Sequence, residues 1–325
     1  MLHKLITAIL FILISFSACN KKPSASTSFY YWKTSYALNN FEKKYLQDNH
    51  VQNIYMRCFD VIPSAKLYEP NAVLIWKDAP EKNINYIPVV FITNAIFENV
   101  DSSEVSSMVN NIFQLTQQIF ASQNLSILEM QIDCDWTTST KDIYFYFLEL
   151  LAKKKIIVSN TLRLYQYKYR KDAGIAPTNY ASLMCYNMGN LKSANTENSI
   201  INLKDLQAYT NQVTDYPRPI NIAMPLFDWV LVYKKNAFKN ILYSCPNTST
   251  SNWKKIKENQ FICIRNYLDT CCNQYFYNAE TIRIEQISKQ DWLQAKQYIQ
   301  QHLSNTKNEI IYYTLDSAQI QNYLF

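Results

Sequence analysis

The segment Ile127-Leu-Glu-Met-Gln-Ile-Asp-Cys-Asp-Trp-Thr137 constrains the fold more than any other part of the chain. Side chains of a strand alternate between its two faces. Leu128, Met130, Ile132, Cys134 and Trp136 therefore share one side, and Glu129, Gln131, Asp133, Asp135 and Thr137 share the other. A surface strand would bury the apolar side and leave the acids in water. The helical pattern that follows, and similar strands elsewhere, argue instead for a closed barrel with a polar interior. Two carboxylates two residues apart at the end of such a strand sit side by side and perturb each other's ionisation. That is how an active site is built.

Short apolar strand patterns recur at 29–32, 53–61, 87–93, 127–135, 156–163, 181–187, 220–229 and 310–314, separated by helical patterns. Strands alternating with helices pair in parallel, and eight of them predict an α/β fold, a (β/α)8 TIM barrel, over 28–325. The clearest helix is 104–121. Asp101-Ser-Ser-Glu104 resembles a capping box, and Val105, Met108, Ile112, Leu115 and Ile119 form one apolar face. A second such start, Ser139-Thr-Lys-Asp142, opens a helix at 143–155 with Phe145, Phe147, Leu148 and Leu151 as its packing residues. Pro80, Pro177, Pro217, Gly174 and Gly189 fall at boundaries. The spacing breaks once, between the seventh and eighth strands, where an insertion over about 235–305 is expected to cover part of the rim. A doubly wound open sheet is the main alternative. With only Gly174 and Gly189 available, it would have no glycine-rich phosphate loop.

The N-terminus reads as a targeting segment. Residues 1–4 are short and basic, 5–16 are apolar, and Ser17-Ala18 puts small residues just before Cys19. This resembles a bacterial lipoprotein signal over 1–19, with Cys19 becoming the lipidated first residue. The blander alternatives are an ordinary signal peptide or an uncleaved anchor. The apolar run is too short for a confident membrane-spanning helix. Residues 20–27, rich in Lys, Ser and Pro, read as a flexible tether. The expected product is a cell-envelope protein held to a bacterial membrane by acyl chains, with an outer membrane one location that suits it.

Seven cysteines follow Cys19, an odd number with no zinc-framework spacing. Cys58, Cys134 and Cys185 lie in apolar strands and read as buried small hydrophobes. Cys245, Cys263, Cys271 and Cys272 share one segment and could form a disulfide after export, with the pairing open. His3, His50 and His302 match no metal or triad spacing, so no metal, no other cofactor and no histidine mechanism is expected. The net charge of +6 is spread out, and Lys153-Lys-Lys155 reads as a solvated helix end. No nucleic-acid partner is expected. The 25 Tyr and 6 Trp suit sugar stacking, although core filling and an AT-rich genome account for them as well.

In a barrel of this type the site lies at the C-terminal ends of the strands. Those ends bring Trp32, Arg57, Asp60, Thr93, residues 133–137, Arg163, Tyr186, Asn187, Asp228, Trp229 and Tyr313 together. Acids and amides bind hydroxyls and aromatic faces bind the apolar side of a sugar ring, so a carbohydrate ligand is expected. Arg57 alone reads more simply as an ion-pair partner of an acid on the fourth strand.

Met130-Gln-Ile-Asp133-Cys-Asp135-Trp-Thr137 resembles the fourth-strand motif of the glycoside hydrolase family 18 superfamily, Asp-Gly-x-Asp-x-Asp-x-Glu, at its second and third aspartates. Met184-Cys-Tyr186-Asn187 resembles that family's Met-x-Tyr-Asp, and Met224-Pro-Leu-Phe227 its seventh-strand ending. The resemblance implies a chitinase-like barrel. It implies that Asp135 orients an acetamido group, that Asp133 sits behind it and shares its proton, and that Tyr186 donates its hydroxyl to the acetamido carbonyl. The family's catalytic glutamate is replaced by Thr137, whose hydroxyl is no acid at neutral pH. Losing general acid–base help costs about 10²–10⁴-fold, so family-type hydrolysis is expected to fail. Glu129 is too far along the strand to substitute, at roughly 20 Å from Asp135. Asp228 and Glu285 are the better-placed acids.

Binding residues expected beside Asp133 and Asp135 are therefore Trp32, Arg57, Tyr186, Asn187, Asp228 and Trp229. The reading is a membrane-anchored lipoprotein that binds glycans without cutting them. The alternatives are an active glycoside hydrolase with a relocated acid, and a structural envelope protein whose barrel has lost its ligand.

Overall fold

The computed structural model describes residues 25–324 except 194, 195, 212, 214, 304 and 305. The expected leader at 1–19, with His3 and Cys19, and most of the tether lie outside the described residues. The first strand begins at Ser26, so the last two residues assigned to the tether belong to the barrel. Among the described residues no helix is long and apolar enough to cross a membrane.

Eight parallel strands form the barrel: β1 (Ser26–Tyr31), β2 (Asn53–Ser64), β3 (Asn85–Ile92), β4 (Glu129–Asp133), β5 (Ile157–Arg163), β6 (Tyr180–Met184), β7 (Ile220–Pro225) and β8 (Thr306–Tyr313). Each pairs with its chain neighbours, and β8 returns to β1, which also pairs with β2 and closes the ring. All eight expected strands are present. β4 is shorter than its apolar pattern, and Leu128, just ahead of it, is 75% exposed.

The outer layer contains α1 (Asn40–Asp48), α2 (Ser102–Ala121), α3 (Lys141–Ala152), α4 (Leu164–Lys168), α5 (Leu203–Thr210), α6 (Lys289–His302) and α7 (Ser317–Leu324). Between β2 and β3 the chain instead turns back as a strand, Leu67–Asn71, antiparallel to the end of β2. The capping box at α2 forms as expected, with Asp101 and Glu104 each bonding the other's backbone N–H. Val105, Met108, Ile112 and Ile119 of that helix are buried. The box expected at Ser139 does not form. Thr140 is the α3 cap and makes no side-chain bond to the helix. Its hydroxyl instead donates to Asn94 Oδ1 at 2.7 Å and accepts from the Thr137 N–H at 3.0 Å. The loop ahead of α3 outcompetes the helix for that hydroxyl.

The insertion starts earlier and ends earlier than its sequence pattern indicated. It holds a five-stranded antiparallel sheet in the order Ala237–Leu242, Trp229–Lys234, Glu280–Glu285, Gln260–Cys263, Trp253–Lys257. A hairpin, Tyr267–Asp269 with Gln274–Phe276, lies beside it. Trp229 thus opens the inserted sheet and does not end a barrel strand, because the chain leaves β7 at Pro225. Residues 289–302 form α6 of the barrel itself. One face of the sheet has its own core of Val230, Val232, Trp253, Cys263, Phe276 and Ile282. From the same strand, Leu231 and Tyr233 join the barrel core, which fastens the insertion down. Cys58, Cys134 and Cys185 are buried among apolar side chains.

The barrel interior is polar and layered. At the N-terminal end Glu309 accepts from Ser28 Oγ (2.5 Å), Asn53 Nδ2 (2.6 Å), Tyr55 Oη (3.1 Å) and Asn221 Nδ2. Glu129 lies at the same end, accepting from Ser159 Oγ at 2.8 Å and from the Tyr180 hydroxyl. Burial raises its pKa. Above them Gln131 accepts from Tyr30 Oη at 2.7 Å and donates to Ser182 Oγ at 3.0 Å. Buried polar groups cost stability unless matched, and this network links them across seven strands, with only Asn221 Oδ1 of its members left without a partner among the described residues. Replacing Glu309 with leucine would take the acceptor from four donors, three of them on buried residues. Glu309→Leu is expected to destabilise the barrel by about 3–5 kcal/mol in urea unfolding, whereas a loss below about 1 kcal/mol would deny the network that role.

Candidate functional site

The pairing of β4 with β5 builds the centre of the C-terminal face. Gln131 lies opposite Ser159 and Ile132 opposite Asn160. Continuing that register sets Asp133 against Thr161 and, past the end of β4, Asp135 against Arg163. The side chains meet accordingly. Thr161 Oγ1 donates to Asp133 Oδ1 at 2.6 Å. Arg163 holds Asp135 with two parallel bonds, Nε to Oδ1 at 2.5 Å and Nη2 to Oδ2 at 2.6 Å. Such a fork is the strong form of an arginine–carboxylate contact. Arg163 and Asp135 keep 34% and 46% of their side-chain surface open, so the pair faces the cleft.

Asp133 lies deeper and is a perturbed carboxyl. Burial and then the charge of Asp135 raise its pKa to about 6, against the pull of the Thr161 hydroxyl and Arg163. Thr137 is exposed and its hydroxyl is engaged locally, with Ser139 Oγ at 2.9 Å and Thr140 Oγ1 at 3.2 Å. Between them Trp136 turns outward, stacking on Tyr144 at 5.2 Å and donating its indole N–H to the Ala173 carbonyl at 2.9 Å.

Around this acid pair lies an aromatic floor. Tyr313, at the end of β8, is its hub, with Trp32 at 5.6 Å, Tyr186 stacked at 5.5 Å and Phe227 at 5.8 Å. No intramolecular hydrogen bond claims the Tyr186 hydroxyl among the described residues, and burial raises its pKa. Asn187 has a left-handed backbone (φ 56°), and its buried Oδ1 has no partner among the described residues. Arg57 closes the side. It forks onto Asp60 of its own strand, Nε to Oδ1 at 2.8 Å, and lies 5.8 Å over the Trp32 ring. The acid that pairs with Arg57 is therefore Asp60 and not one on the fourth strand, because the bulge after Arg57 in the pairing with β3 brings the two side chains together.

The structure directs other expected residues elsewhere. Asp228 accepts from Tyr323 Oη of α7 at 2.7 Å, and burial raises its pKa. Trp229 is buried, packs on Phe227 at 5.1 Å and donates its indole N–H to Glu285 Oε2 at 2.6 Å. Glu285 also accepts from Ser199 N–H (2.9 Å), Ser199 Oγ (2.6 Å) and Arg283 Nε (2.7 Å). Its oxygens are committed to the inserted sheet and to Ser199 of the loop after β6. Thr93 leads into a short 3₁₀ turn, Asn94–Ile96. Sequence reasoning passed over Thr161, named Phe227 only as the end of a strand motif, and gave no role to Arg163. The period-two pattern of β5 puts Thr161 and Arg163 on one inward face, and that signal would have found them. No group of metal-ligating side chains occurs among the described residues. An open groove at the opposite end of the barrel, lined by Lys43, Asp48, Asp78 and Glu81 among others, has its carboxylates paired, Asp78 and Glu81 with Lys43 at 3.4 and 3.5 Å and Asp48 with Lys44 at 2.7 Å.

The Asp133 shift has a sign that can be measured. Its carboxyl is raised from 3.8 to about 6 in the folded chain, so the native state binds that proton more tightly than the unfolded one. Ionisation therefore works against folding, and this contribution is lost as pH rises from about 4 through about 6. Asp133→Asn should flatten the difference between urea unfolding at about pH 4 and about pH 7. An unaltered difference would mean that Asp133 titrates like an exposed acid.

No family model and no curated protein matches this sequence. Solved structures do match it. The spore cortex-lytic enzyme SleL of Bacillus megaterium superposes with a TM-score of 0.53 at 14% identity, over 94% of this chain and 75% of that one. A chitinase from Chromobacterium violaceum gives 0.50 at 11% identity, over 93% and 99%. An immunomodulatory active chitinase from Trichuris suis gives 0.50 at 11% identity, over 89% and 92%. At such identities the likeness is one of fold: the chain is a TIM barrel similar in architecture to these enzymes.

Proposed function

We propose that this chain is a lipid-anchored envelope protein that binds glycans in its barrel cleft and does not cut them by the chitinase-type route. One observation carries the reading. The Asp133–Asp135 pair and an aromatic floor meet at one opening, while position 137 offers only a threonine engaged with Ser139 and Thr140. An aromatic floor supplies stacking area for the apolar face of a sugar ring, and carboxylate and amide oxygens accept from its hydroxyls. The Arg163 fork supports binding over catalysis as well, since it occupies both oxygens of Asp135, the carboxylate that would orient an acetamido group. Of the two relocated acids considered, Asp228 is bonded to Tyr323 and Glu285 is saturated by its donors. The hydrolase reading keeps one point in its favour, the raised pKa of Asp133, because perturbed carboxyls gather at catalytic sites.

Incubation of the protein with acetamido-sugar oligosaccharides and N-glycans, followed by mass spectrometry and by titration calorimetry, separates the readings. Binding without new products is expected. Trp32→Ala should weaken binding by about tenfold, the worth of one good stacking contact, and Asp135→Asn should weaken it too. Products that form with the unmutated protein and vanish with Asp135→Asn would sink the binding-only reading. Neither binding nor products would favour a structural role. In bacteria expressing the full chain, Cys19→Ser should move the protein out of the membrane fraction. Continued membrane association would remove the lipid anchor from the proposal.

A further inference from the structure

Among the described residues three cysteines escape burial, and all three lie in the inserted domain. Cys245 follows the edge strand Ala237–Leu242, and Cys271 and Cys272 sit at the turn between Tyr267–Asp269 and Gln274–Phe276. One carboxylate joins these two places. Asp269 Oδ2 accepts the Asn247 N–H at 3.1 Å, while its Oδ1 accepts the N–H groups of Cys271 (2.9 Å) and Cys272 (3.2 Å). Backbone two residues from Cys245 is thereby held against the backbone of Cys271 itself.

The other thiols of the segment are committed elsewhere. Cys263 is buried in the core of the insertion and donates to the Arg265 carbonyl at 2.9 Å. Cys272 directs its thiol to Asp269 Oδ1 at 3.5 Å, and burial with the Asp269 charge pushes its pKa up to about 11. Cys245 and Cys271 are both exposed, on the two segments that Asp269 joins.

We propose that Cys245 and Cys271 are a disulfide pair that closes under oxidising conditions and staples the hairpin turn to the end of the edge strand. The reaction is exchange with an external disulfide. One thiolate attacks it and releases one thiol, and the second thiolate then attacks the mixed disulfide and releases the other. The two cysteines lose two electrons and two protons, and the external disulfide gains them as two thiols. The cross-link would limit the freedom of the unfolded insertion and fix the segment that carries Tyr243. Tyr243, two residues before Cys245, is 77% exposed, so the stapled segment carries an aromatic side chain at the surface.

The test treats the full chain with oxidised glutathione and maps unreduced peptides by mass spectrometry. A cross-linked peptide joining Cys245 to Cys271, two hydrogens lighter than its reduced halves, is expected. It should persist in Cys272→Ser and disappear in Cys245→Ser and Cys271→Ser. Reductant should lower the Tm of the oxidised wild type by several degrees and leave that of Cys245→Ser unmoved. Free thiols at all three positions after oxidation would overturn the assignment. So would glutathione adducts without a cross-link, or a bond that includes Cys272 or joins two molecules.

Discussion

A parallel sheet closed on itself leaves every inward side chain with nowhere to go except another strand. Water does not solvate that interior, so an inward carboxylate is tolerable only when other strands bring donors to it. Glu309 has four, from β1, β2 and β7, and Glu129 has two, from β5 and β6. A hydroxyl contact of 3.2 Å between Tyr55 and Tyr180 links the two acids into one hydrogen-bonded chain across the barrel. Strand register and closure thus depend on the same set of bonds. A slip of one residue would turn these acids to the helices and the apolar residues of the same strands inward.

The cleft is the point where that constraint relaxes. Asp133, the last residue of β4, is still inside and takes one donor from the neighbouring strand, which leaves its pKa high. Asp135, two residues further and open to solvent, takes the full Arg163 fork. The difference between the two carboxyls is a difference in depth along one register. The aromatic floor follows the same logic, since Trp32 and Tyr313 lie beyond the layers of inward polar groups and pack on one another. Their faces form a surface at the mouth of the barrel.

Much of this was legible in the chain. Alternation at 127–135 separates apolar Met130, Ile132 and Cys134 from polar Glu129, Gln131 and Asp133, and both faces are where the period puts them. The boundaries of all eight strands came within a few residues for the same reason. Other features were invisible because they depend on neighbours distant in sequence. The expected acid partner of Arg57 was on β4, yet Asp60 of the same strand reaches it through a bulge. Asp228 and Trp229 read as rim residues because the β7 pattern runs on to Trp229, but the chain turns at Pro225 and sends both toward α7 and the inserted sheet. No local pattern announces that Ser199 and Arg283 will saturate Glu285.

The sequence by itself determined the fold class, the polar barrel interior and the absence of an acid at position 137, because these rest on side-chain period and residue identity. The tertiary structure alone decided which carboxyl is buried, which one Arg163 clamps, and which rim residues face inward to the cleft. Those outcomes depend on register, bulges and burial, which exist only once strands from across the chain have been brought side by side.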